Sequence, residues 1–94
     1  MVVAYDENQA ITEEECELVP YGHCSGADFS GQDLSGMNLT GIDLSYANLT
    51  DANLTDATLS DANFEGADLS DANFEAADLS NAYLGYADLI YTYL

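Results

Sequence analysis

The chain has 94 residues, 48% of them hydrophobic, which is enough for one small domain with a compact core. It carries 18 Asp and Glu, no Lys or Arg and one histidine, for a formal net charge of −18. Partners held through phosphate contacts are therefore argued against, nucleic acid and anionic membrane surfaces alike, because both need basic side chains. No apolar run approaches the roughly 20 residues of a transmembrane helix. Met1–Tyr5 lacks a basic flank and is too short for a secretory signal, so a soluble protein, cytoplasmic by default, is expected.

Residues 1–21 read as an N-terminal capping segment. Thr12-Glu13-Glu14-Glu15 is a capping box with Thr12 as N-cap, and the glutamates favour a helix N-terminus. The pattern predicts a short helix over about residues 13–18, stopped by Pro20. Thr12, Glu15, Leu18 and Val19 are its candidate capping residues. Ile11, Cys16, Leu18 and Val19 can lie over the core that follows. Cys16 and Cys24 are expected to be two small buried thiols. A disulfide tying the segment to the first repeats is the alternative. Metal binding by Cys16, His23 and Cys24 matches zinc spacing poorly.

From Ala27 the chain divides into fives: ADFSG, QDLSG, MNLTG, IDLSY, ANLTD, ANLTD, ATLSD, ANFEG, ADLSD, ANFEA, ADLSN, AYLGY, ADLIY and a terminal TYL. Position 3 of every unit is Leu or Phe, position 1 is mostly Ala, and in the thirteen complete units position 2 is Asp or Asn except at Thr58 and Tyr83. A helix turning by about 100° per residue would smear this period around its axis. A continuous strand would send residues five apart to opposite faces. The period instead demands a short extended piece and then a corner. Positions 1 and 3 point inward from the extended piece, and polar residues make the corner. Repetition winds a coil around Leu, Phe and Ala, and coils stack by parallel backbone hydrogen bonds.

This pattern resembles the pentapeptide-repeat family, whose consensus is A(D/N)LXX, over residues 27–94 without a break. The resemblance implies an all-β, right-handed, quadrilateral parallel β-helix with four units per coil, here with a short N-terminal helical cap. Gly22–Gly26 keeps the frame as a degenerate unit with Cys24 in the Leu position. Residues 22–94 would then make about three and a half coils. Gln32, Met37 and Ile42 replace the inward Ala in the first coil, and a buried Gln32 would need amide partners. Gly26, Gly31, Gly36 and Gly41 occupy position 5 there, so tighter type II turns are expected at these glycines than in the Asp-rich units beyond Leu49.

With four units per coil, residues twenty apart stack. Asp28, Asn48, Asp68 and Asp88 would form one column with Asp51 over Asp71 beside it, an acidic face that is either solvated or a functional anionic surface. Weak Ca²⁺ binding lacks any EF-hand or RTX spacing. The Ser and Thr of position 4 are explained by repeat geometry, and no catalytic, cofactor or metal residue is expected. Tyr83, Tyr86, Tyr91 and Tyr93 crowd the C-terminal coil, and Leu94 lies in mid-coil without a cap. With Leu89 and Leu94 these tyrosines are candidate self-association residues. The expected function is a non-enzymatic interaction or structural scaffold with an unknown protein partner. It would self-associate through that coil, as a closed isologous dimer. The family resemblance offers an alternative, an acidic DNA mimic binding DNA gyrase or another topoisomerase. A second alternative, an open filament of stacked solenoids, would be opposed by the Thr12–Val19 cap.

Overall fold

The structure, a computed structural model, describes residues 16–94. Nothing in this stretch is long enough to be a conventional strand. Each pentapeptide contributes one parallel β-bridge, at position 2, to the residue twenty positions on. The bridges run from His23↔Asp43 and Asp28↔Asn48 to Asp68↔Asp88 and Asn73↔Tyr93. A spacing of twenty in units of five means four units per coil. Coil 1 spans 22–41, coil 2 spans 42–61, coil 3 spans 62–81, and coil 4 begins at 82.

The backbone hydrogen bonds explain why a repeat of five closes a corner. The position 3 amide donates to a position 2 carbonyl one coil on, as Phe29 does to Asn48 at 2.7 Å. The position 2 amide donates back to a position 1 carbonyl, as Asn48 does to Ala27 at 2.8 Å. Position 5 donates forward again, Gly31 to Thr50 at 2.8 Å, and position 1 closes the corner on the preceding position 3, Ala47 to Leu44 at 3.1 Å. Four of five amides are thus satisfied without an α-helix or an extended strand.

Inward positions build the core. Phe29, Leu34, Leu39, Leu44, Leu49, Leu54, Leu59, Phe64, Leu69 and Phe74 are all buried, as are Ala47 to Ala72 at position 1. The small Ala column leaves room for the large side chain of the neighbouring face. Phe64 and Phe74, from opposite faces of coil 3, meet edge-on with centroids 5.9 Å apart. Ile42 is fully buried, whereas Gln32 and Met37 are only half-buried. Gln32 therefore reaches solvent instead of needing partners inside.

Three expectations are corrected. Corners do not divide into glycine and aspartate types. All turn through a positive φ at position 5, with φ 68–76° at Gly26, Gly31, Gly36 and Gly41 and 60–63° at Asp51, Asp56, Asp61, Asp71, Asn81, Ala76 and the tyrosines. The position 5 amide must face the next coil whatever residue carries it, so the backbone geometry overrides residue preference. Secondly, the helix expected over 13–18 does not extend through its described part. Residues 16–18 are non-helical, while Thr12 and Glu15 lie outside the described residues. Val19–Gly22 instead forms a corner of the repeat type, with Gly22 N–H donating to the Val19 carbonyl at 3.0 Å and Tyr21 at φ 62°. Pro20, expected to end a helix, is the pre-set second residue of that turn. Thirdly, Cys16 and Cys24 are not two thiols but a disulfide, S–S 2.07 Å with Cα atoms 4.5 Å apart. Cys24 fills the Leu position of its unit, and Cys16 lies above it about where a coil neighbour would.

Ala76 holds φ 62° with its side chain exposed, so its Cβ is strained there and packs against nothing that matters. Ala76→Gly is therefore expected to stabilise the fold by roughly 0.5–1 kcal/mol, despite the usual entropic penalty of glycine. Urea unfolding midpoints of the two proteins check this, and an unchanged or lower midpoint contradicts it.

Candidate functional site

The fifth amide of each unit, at position 4, faces outward and has no carbonyl within reach. A side chain satisfies it. Asp28 Oδ1 accepts from the Ser30 amide at 3.0 Å and the Ser30 hydroxyl at 2.8 Å. The same Asx turn recurs wherever position 2 is Asp or Asn, at residues 28, 33, 38, 43, 48, 53, 63, 68, 73, 78 and 88. It is missing at His23, Thr58 and Tyr83, whose side chains offer no carboxylate or amide oxygen. The pattern had been visible as a preference for Asp or Asn, but its purpose needed the direction of the position 4 amide.

These bonds favour the charged carboxylate. The Ser30 amide, then its hydroxyl, holds Asp28 below the ordinary range. At Asp33 the Ser35 hydroxyl leads and the amide follows, and at Asp68 the Ser70 hydroxyl leads, with the amide and Thr50 adding to it. The Ser80 amide, then its hydroxyl, does the same for Asp78.

The structure places Asp28, Asn48, Asp68 and Asp88 in one bridged column. Asp51 and Asp71 project from successive corners of one edge, linked through the Asp51 amide to the Ser70 carbonyl at 3.1 Å. Asp28, Asp51, Asp71 and Asp88 are exposed, and Asp68 is half-buried. The described residues contain no pocket, so the candidate sites are surfaces.

The second surface is the C-terminal coil. Tyr83, Tyr86, Leu89, Tyr91, Tyr93 and Leu94 are all exposed, Tyr86 at 90% and Tyr91 at 83%, and Ile90 joins them. Beside them the amides of Leu79, Leu84, Leu89 and Leu94 and of Ala76, Asn81, Tyr86 and Tyr91 have no backbone partner among the described residues. Ile90 was not singled out in the sequence, because position 4 is otherwise small or polar; an isoleucine there was the signal. At the other end, Leu18 packs against the core and Val19 is exposed.

The ladder spacing, the buried position 3 column and the left-handed corners define a repeat that can be compared with known ones. The profile of pentapeptide repeats matches residues 23–61 and 57–92, with 8 copies. The chain belongs to the pentapeptide-repeat family. Members of the family form right-handed quadrilateral β-helices, and solved members share this one's geometry. One is alr5209 from Nostoc PCC 7120, a pentapeptide repeat protein, with 38% identity, TM-score 0.75, and coverage of 77% of this chain and 60% of that one. Another is Rfr23 from Cyanothece 51142, with 31% identity, TM-score 0.71, and coverage of 72% and 46%. The chain thus spans about half the length of these pentapeptide-repeat structures. A search of curated proteins found no match.

A carboxylate held low in the fold adds stability above its unfolded value, about pH 3.9 for Asp, and that stability is lost as pH falls through the folded value. Acid also relieves the net negative charge, which acts in the opposite sense, but at about 1 M salt that repulsion is screened within roughly 3 Å. In such salt the melting temperature is expected to drop below about pH 4. The variant Asp28→Asn/Asp33→Asn/Asp68→Asn/Asp78→Asn keeps every acceptor and should show a distinctly smaller drop. Equal drops in calorimetry would show that the Asx turns do not prefer the ionised side chain.

Proposed function

We propose that this pentapeptide-repeat chain is a non-enzymatic interaction scaffold that self-associates through its C-terminal coil. The observation that carries the proposal is the band of exposed Tyr83, Tyr86, Leu89, Ile90, Tyr91, Tyr93 and Leu94 beside a row of amides that have no backbone partner among the described residues. Tyrosine buries a large area while keeping a polar tip, and an apolar rim on a β-edge favours pairing with another edge. The chain's carboxylates have no Lys or Arg beside them to stabilise a developing anion, which supports a non-enzymatic role. Light scattering should show a mass that rises with concentration for the intact chain. Leu89→Asp/Tyr93→Asp should be monomeric with unchanged circular dichroism. An intact chain that stays monomeric throughout overturns the proposal.

A second reading, mimicry of a nucleic-acid duplex toward a topoisomerase, is favoured by one observation. Asp68 and Asp88 follow one another in adjacent coils with no intervening Asn, near the paired corners of Asp51 and Asp71. That reading predicts inhibition of gyrase supercoiling that weakens as salt is raised. No inhibition at high micromolar protein removes it.

A further inference from the structure

The unit at residues 22–26 departs from the repeat at all three positions that hold the others together. Position 1 is Gly22 and brings no side chain inward, position 2 is His23 and makes no Asx turn, and position 3 is Cys24 where every later unit has Leu or Phe. Its inner side is filled instead by the segment before it. A Cβ on Gly22 would collide with the Glu17 carbonyl oxygen, so backbone occupies the space that a position 1 methyl would take. The same oxygen lies 3.6 Å from Cys24 Sγ, and Leu18 packs against the core. One covalent bond, Cys16–Cys24, ties this filling to the unit it fills.

Hydrogen bonds join this unit to the second coil. The Cys24 and Gly26 amides donate to the Asp43 and Ser45 carbonyls at 2.8 Å, and the Asp43 amide donates to the Gly22 carbonyl at 2.9 Å. The Ser25 hydroxyl donates to the Ser45 carbonyl at 3.1 Å, and the Ser45 hydroxyl donates to Ser25 Oγ at 3.0 Å. The units of the second coil fill the core from within, with Ile42 or Ala at position 1 and Leu at position 3, all buried. In a repeat fold, local opening begins at the unit whose own side chains contribute least. Here that unit is residues 22–26, and the disulfide stands in for what its side chains lack.

We propose that the Cys16–Cys24 bond is a redox latch on the first floor of the coil, opened by thiol–disulfide exchange with a dithiol. A thiolate of the reagent attacks Cys16 Sγ, since Cys16 is the more exposed of the two buried residues at 6% against 1%. The S–S electron pair leaves on Cys24, which takes up a proton. The reagent's second thiolate then displaces Cys16, which is protonated in turn, so the protein gains two thiols and the reagent becomes a cyclic disulfide. Without the bond the Glu17 carbonyl leaves Gly22, and residues 22–26 detach while the second and third coils stay wound. The Asp43 and Ser45 carbonyls and the Asp43 amide are then free to pair with another extended segment. Oxidising surroundings hold the latch shut and reducing ones open it.

Amide hydrogen exchange, followed residue by residue on the intact chain before and after dithiothreitol, tests this. The bond joins cysteines 8 positions apart. Losing a constraint of that size is worth on the order of 100-fold in an opening equilibrium, so the Cys24, Gly26 and Asp43 amides should exchange faster by that factor. Leu54, Leu59 and Asn73, bonded between the second and third coils, should be unchanged, with circular dichroism retained. Glutathione disulfide should restore slow exchange. Cys16→Ser, which keeps Cys24 in its column, should exchange fast with or without dithiothreitol; if that variant does not fold, the reduced intact chain carries the test. If the three amides gain no more than Leu54 and Leu59 do, or if every amide speeds up together, the bond is a plain staple and the latch is overturned. A bond that dithiothreitol leaves intact in the folded chain, or that glutathione disulfide does not remake, overturns it too.

Discussion

The backbone of this protein is held by hydrogen bonds between residues nineteen or twenty-one apart, and nearly every other feature follows from having to make them. A coil without helices or long strands has only its neighbouring coils to satisfy its amides, and a buried amide left alone is costly. Three of five amides per unit point along the stack and a fourth closes the corner. The left-handed residue at position 5 is what aims the third of them. The fifth amide points away from the stack, and Asp or Asn at position 2 turns back to meet it. The inward Leu and Ala are then free to be purely apolar, since the outward Asp or Asn takes the remaining amide. Among the described residues no buried side-chain polar atom lacks a partner.

The parts of this arrangement that depend on side-chain identity were legible in the sequence. Leu and Phe at a period of five identified the inward face, and the Cys24 frame was visible through its spacing from Phe29. The parts set by backbone direction were not. Asp56 carries no mark of a left-handed conformation, because the requirement comes from a carbonyl nineteen residues away. The Thr12–Glu15 run signals a helix by local rules, but at Cys16 a covalent bond to Cys24 and a proline corner decide the path instead. The candidate acidic residues were found because columns follow from the count of units per coil. What each carboxylate does locally was hidden, since it turns on one outward amide. For the tyrosines, crowding in the last units was plain, whereas Gly41 and Gly66, where an added Cβ would meet the rings of Tyr21 and Tyr46, belong to other units and show their use only in three dimensions.

The acidic composition acquires a more specific meaning in this light. Position 2 must offer an oxygen acceptor, which both Asp and Asn supply. Using Asn48 between Asp28 and Asp68, or Asn53 and Asn73 below Asp33, keeps the turn while leaving one charge out of the first column and two out of the second. Parallel columns of like charge are unfavourable at coil spacing, and the chain has no Lys or Arg to offset them. Asp68 and Asp88 depart from this economy. Their column becomes more negative toward the C-terminal coil, where tyrosines dominate the neighbouring corners.

The twenty-residue ladder also sets which lengths of inserted or deleted sequence the protein can absorb over evolutionary time. Losing a single residue would break the corner geometry of one unit. Losing five would preserve every corner but rotate all later units by a quarter turn, placing the partners of Tyr46 and of Asp68 on the wrong faces. Only a change of twenty, or a multiple of it, adds or removes a floor and leaves every column intact. Lineages of this repeat should therefore differ in height by whole floors more readily than by single units, with surface columns inherited as vertical stripes.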